Sequence, residues 1–190
     1  MDTLVATPIN ARAGLTGLRK LYLLRFVFAA VWAALLFTTA DTLSPLSVTL
    51  LVLYPLFDVA CAVIDLRSAR AADRPVRALY ANVVLSAATA VALAVAAASG
   101  IPAVLQVWGV WAVAAGVTQL VVGAVRRRQA AGQWAMIASG AISTLAGASF
   151  VAQGSGGGST TLNNLAGYAL LGGVFFLVSA LRLKSAERKA

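Results

Sequence analysis

The sequence contains no histidine, and its one glutamate, Glu187, lies near the C-terminal end. Without imidazole there is no His-ligated haem, no Ser-His-Asp triad and no ordinary catalytic zinc site. One cysteine, Cys61, rules out an intramolecular disulfide. Charge is also scarce, at 11% of residues against 61% hydrophobic, and mean hydropathy is +0.87. That balance lies outside the range of soluble domains and suits a chain dissolved in lipid. Together these shortages weigh against hydrolytic or metal-dependent catalysis, and no cofactor is expected.

What is present is a strict order of charge. Six apolar stretches divide the 190 residues. Lys and Arg fall before the first (Arg12, Arg19, Lys20), in the second connection (Arg67, Arg70, Arg74, Arg77), in the fourth (Arg126, Arg127, Arg128) and after the last (Arg182, Lys184, Arg188, Lys189). The first, third and fifth connections carry none. Short loops rich in Lys and Arg stay cytoplasmic, so the pattern predicts six spans with both termini inside. The net charge of +9 is thereby spent on topology and is no evidence for a nucleic-acid partner. Its secondary effect is attraction to anionic lipid headgroups at the cytoplasmic face, about 1 kcal/mol per basic residue near the surface.

The predicted spans are Leu21 to Thr38, Pro45 to Ile64, Leu79 to Ala98, Val104 to Val125, Trp134 to Ala152 and Leu165 to Leu181. Each is a helix, because hydrocarbon leaves no other partner for backbone N–H and C=O groups. Residues 1–20 and 183–190 form cytoplasmic tails around a transmembrane domain at 21–182. Ser99-Gly100-Ile101-Pro102 reads as a tight external turn. Gln153 to Asn164, with its Gly-Ser-Gly-Gly-Gly-Ser run, reads as a flexible external linker. Thr38-Thr39-Ala40 has the small residues of a signal-peptide cleavage site, but the apolar run is long and its removal would break the repeat, so the first span is expected to stay.

Tyr54, Ala112 and Tyr168 align, each followed four residues on by Asp58, Gly116 and Gly172 and then by a basic cluster at Arg67, Arg126 and Arg182. The offsets of 58 and 56 residues are nearly constant, which marks repeated structural units. The fold class that follows is an all-α polytopic membrane bundle of three helical hairpins in parallel repeat, at about 21–66, 79–125 and 134–181. Gly109, Ala112, Gly116, Gln119 and Gly123 in the fourth span, and Ser139, Ser143 and Gly147 in the fifth, read as small-residue seams for helix packing.

Gly116 through Gly123, Arg126-Arg127-Arg128, Gly132-Gln133-Trp134, Ser139-Gly140 and Gly147 together resemble the acid-resistance membrane protein HdeD family. Tyr22-Leu23-Leu24-Arg25 resembles that family's opening helix, which often bears an arginine there. The resemblance covers nearly the whole chain. It implies a short inner-membrane protein of a bacterium, built of repeated helical hairpins, with acid resistance attached to one branch. Phe26 and the alanines of the first span, and the Gly-Ser loop, depart from the family pattern.

Ionisable groups within a span cost about 2.5–3.5 kcal/mol on insertion scales, so each needs an account. Arg25 is the one basic residue inside a span. Asp58 precedes Arg67 by nine residues, about 13 Å at 1.5 Å per residue, too deep for its short side chain to reach water. An Arg25–Asp58 ion pair is therefore expected, with Asp65 the competing partner. Asn82 and Gln119 fall at comparable depth and complete a candidate polar cluster. The cluster either fixes helix register or forms a small binding or proton-responsive site. Trp32, Trp108 and Trp111 on one side, and Tyr22, Tyr80 and Trp134 on the other, read as interfacial belts. Cys61 reads as a small apolar filler.

The function expected from these features is that of a non-enzymatic integral membrane protein, in acid or envelope stress tolerance. A small transporter or channel lined by Asp58, Asn82 and Gln119 is the alternative, one that would need oligomerisation to complete a path. Homo-oligomerisation stays open, and no protein partner is indicated.

Overall fold

The computed structural model describes residues 8–126 and 134–187. It is all-helical over them, with six long helices: α1 (Pro8–Phe37), α2 (Pro45–Ala71), α3 (Arg77–Ala96), α4 (Ile101–Arg126), α5 (Trp134–Ser155) and α6 (Asn163–Glu187). All six contain a stretch long and apolar enough to cross a membrane, which is the organisation of a multi-pass membrane protein. α1, α2 and α6 run past the spans at their Lys/Arg-bearing ends. Arg127, Arg128, Gly132, Gln133, Arg188 and Lys189 lie outside the described residues.

Local chemistry sets the helix ends. Ser44 caps α2, its hydroxyl accepting from the Ser47 N–H at 3.2 Å, with Pro45 in the first turn where its missing N–H costs nothing. At the other end, Arg74 N–H bonds to Ala69 C=O and Asp73 N–H to Arg70 C=O, with Asp73 at φ 50°. This is a Schellman stop with aspartate in the place glycine usually takes. A short 3₁₀ turn, Ala97–Ser99, leads to Gly100 at φ 98°, and Pro102 stands in the first turn of α4.

The helices pack as a closed ring in chain order, α6 returning to α1. The hairpins α1–α2, α3–α4 and α5–α6 are present, but their own two helices are not the most intimate neighbours. The extensive contacts join α2 to α3, α4 to α5 and α6 to α1, each across a boundary between repeats. A parallel repeat of three units gives this result when every unit offers its second helix to the first helix of the next. Such a ring has no unpaired unit at either end.

The α4–α5 seam shows why some boundaries close so tightly. Gly109, Gly116 and Gly123 recur every seven residues on α4; Gly140, Gly147 and Gly154 do so on α5. A Cβ placed on Gly116 would lie 2.7 Å from the Gly140 carbonyl oxygen and 2.6 Å from the Thr144 hydroxyl. One on Gly154 would meet the Pro102 carbonyl oxygen at 2.5 Å. The seven-residue period keeps both small faces in register along the length of the contact. On α5 the face toward α4 carries Gly140, Thr144, Gly147 and Gly154. Ser143 instead accepts a hydrogen bond from the Tyr168 hydroxyl at 3.0 Å, on the face turned to α6, and Ser139 is half-buried.

The Gly-Ser segment is anchored at its far end. Leu162 is fully buried and its N–H bonds to Ala40 C=O at 2.9 Å. The Thr161 hydroxyl lies 3.1 Å from an Asp41 carboxylate oxygen, and Asn164 donates to the Gln153 side chain at 2.9 Å. Only residues 155–159 are exposed without interruption. The linker expected over Gln153 to Asn164 is thus a short loop between an extended α5 and a docked strap across the α1–α2 turn.

Candidate functional site

A polar network crosses four helices toward the end of the bundle where Lys and Arg gather. Arg25 of α1 bonds through Nη1 to Asp58 Oδ1 of α2 at 2.8 Å, both side chains about 15% exposed. Asp58 Oδ2 accepts from Asn82 Nδ2 at 2.7 Å and from the Ser86 hydroxyl at 2.9 Å, both on α3. Asn82 and Ser86 are four residues apart and so share one helix face. Ser86 in turn accepts from Trp111 Nε1 of α4 at 3.2 Å. The Arg25 guanidinium also lies over the Phe176 ring of α6, 5.0 Å from its centroid. A carboxylate takes donors on both oxygens, and here every partner of Asp58 is a donor. The cost of placing charge in a span is offset by pairing and by these directed bonds.

Two expected members stand elsewhere. Asp65, in the last two turns of α2, approaches Arg74 of the following connection at 3.9 Å and does not compete for Arg25. Seven residues along α2 carry it away from Asp58 toward the exposed basic loop. Gln119 faces α5: its Cβ lies 3.1 Å from where a Gly140 Cβ would stand, and its Oε1 is buried without a hydrogen-bond partner. Its rotational position on α4 turns it away from Asp58. Conversely, Ser86 and Trp111 belong to the network and were missed. The spacing from Asn82 to Ser86 could have found the serine. Trp111 carried no such signal, because its ring reads equally well as an interfacial anchor.

Beside the network the middle of the ring is filled with aromatic side chains. Trp32, Trp108 and Trp111 are buried, at 1%, 0% and 7% exposure, and are not an interfacial belt. Trp32 stacks on Trp108 at 5.4 Å, Trp108 meets Trp111 edge-on at 5.2 Å, and Tyr54 touches all three. Trp32 Nε1 donates to Leu50 C=O at 2.6 Å, in the turn preceding Pro55. The repeat-aligned positions 54, 112 and 168 all turn inward: Tyr54 and Tyr168 pack against the central cluster and Ala112 is part of it. Trp134 and Tyr80 do face outward, each beneath an arginine, Arg182 at 4.5 Å and Arg70 at 5.2 Å. Cys61 is buried one turn beyond Asp58.

Among the described residues no three His, Cys, Asp or Glu side chains gather as a metal site would require. Comparison with protein-family models, with curated proteins and with solved structures returns no match. The site is therefore interpreted from its own geometry. Directed bonds from Asp58 to α1 and α3, extended through Ser86 to α4, fix the rotation and height of four helices. The same carboxylate is the one acidic group within the span portion of that network.

Proposed function

We propose that this chain is a non-catalytic multi-pass protein of the bacterial cytoplasmic membrane, HdeD-like in kind and acting in acid or envelope stress tolerance. Both termini lie in the cytoplasm on this reading, in keeping with the placement of Lys and Arg. The observation that carries it is a closed ring whose middle holds indole and phenol rings and whose Arg25–Asp58 charge pair is tied into hydrogen bonds. A bundle so filled suits a stable scaffold or interaction module better than conduction, which needs a hydrated path.

The test is growth of a deletion strain under acid and other envelope stresses, complemented by the native chain, Arg25→Ala or Asp58→Asn. A growth defect restored by the native chain supports the proposal, and weaker rescue by the two variants ties it to the network. Normal growth of the deletion strain under every stress would discard it. Reporter fusions in the 155–159 loop should give an external signal; a cytoplasmic one would reverse the topology.

A further inference from the structure

A groove of about 650 Å³ opens at the Lys/Arg-bearing end, away from the Arg25–Asp58 network. Asp73, Arg74, Pro75, Val76, Arg77 and Ala78 form one wall, and Val121, Val122 and Val125 of α4 the other. Its volume lies within the roughly 300–1,000 Å³ of small-molecule sites. Three features converge there. Arg74 and Arg77 are exposed, Arg74 held at the Schellman stop with only a 3.9 Å approach to Asp65. Val76 gives α3 no side-chain cap, and so the first-turn N–H groups of that helix keep their capacity for an anion. The opposite wall is apolar and continues along α4 as Val117, Val121 and Val125, which share one helix face and are 45%, 56% and 68% exposed.

A free anion would have no use for the valine track, and a neutral lipid none for the arginines. We propose that this groove binds an anionic phospholipid of the adjoining leaflet, its phosphate between Arg74 and Arg77 and an acyl chain along Val121 and Val125. Asp73 opposes the phosphate and lowers the affinity; the lining keeps one positive charge in excess, and Asp65 reaches Arg74 only at 3.9 Å.

The experiment reconstitutes the full chain in phosphatidylcholine bilayers and measures selectivity for spin-labelled phosphatidylglycerol over spin-labelled phosphatidylcholine. Arg74→Gln/Arg77→Gln should lower the selectivity about fivefold or more. Val121→Phe, which fills the groove and keeps both charges, should lower it too and serves if the arginine variant fails to insert. Asp73→Asn should raise it. Arg182→Gln/Lys184→Gln, an equal loss of charge at the same end, should change it little. Unchanged selectivity in Val121→Phe overturns the site, as does an equal loss in the Arg182/Lys184 control, which would mean a diffuse surface field. Displacement of the labelled lipid by millimolar glycerol phosphate would overturn the choice of a lipid over a soluble anion.

Discussion

Gly109 and Gly147 stand back to back across α4 and α5: a Cβ built on either would lie 2.6 and 2.5 Å from the other's carbonyl oxygen. Backbone atoms of the facing helix, with the branched Val151 and Val113 side chains beside them, fill the space, and so neither helix can yield without moving as a whole. Gly109→Ala and Gly147→Ala should each destabilise the bundle by about 1–3 kcal/mol. Gly167 and Gly172 have nothing within 4 Å of a Cβ, and alanine at either should be neutral or stabilise by about 0.5–1 kcal/mol. Denaturation in mixed micelles measures both; equal behaviour of the two classes would refute the seam.

The Arg25–Asp58 pair predicts a coupling. Asp58→Leu leaves Arg25, Asn82 and Ser86 without their acceptor and should cost about 3–5 kcal/mol. Removing both charges, Arg25→Leu/Asp58→Leu, should cost less than the sum of the two single changes by about 0.5–3 kcal/mol. A double-mutant cycle read by tryptophan fluorescence tests this, and additive losses would show that the 2.8 Å contact contributes nothing.

Two parts of the fifth connection should respond differently. Leu162→Ala empties a fully buried site and should cost about 2–5 kcal/mol. Doubling the exposed segment at 155–159 by Gly-Ser insertion should cost about 0.6 kcal/mol, the entropy of a longer loop. Limited proteolysis should cut the inserted segment and spare the native strap at residues 161 and 162.

Asp73 sits in left-handed backbone at φ 50°. Asp73→Gly should stabilise the α2 terminus, and Asp73→Val should destabilise it by about 1–2 kcal/mol, since a β-branched residue resists that conformation. Thermal unfolding distinguishes the two directions.

How much was legible beforehand varies with the physics involved. Asp58 could be read from depth alone, because a short carboxylate far from the boundary needs a partner in any arrangement. Arg25 followed as the one other charge within a span. Ser86 and Trp111 could not be placed so, since hydroxyl and indole groups are common in spans and carry no obligation to a particular neighbour. Asp65 and Gln119 were misplaced for different reasons: Asp65 shares the face of Asp58 but lies two turns further along α2, beside Arg74, whereas the rotation of Gln119 depends on which neighbour each face of α4 meets. The same ambiguity put Trp32, Trp108 and Trp111 at an interface when they fill the interior.

The sequence by itself determined six apolar helices, the alternation of basic and non-basic connections between them and a period of about 57 residues. Those features follow from local composition, because hydrocarbon imposes helix and length on any apolar run. Only the tertiary structure decided that helices pair most closely across repeat boundaries, that α6 closes on α1, and that α1, α2 and α3 meet at one carboxylate with α4 joined through Ser86. Packing partners depend on how small and large faces fit together in three dimensions. In the bilayer no hydrophobic force between helices substitutes for that fit.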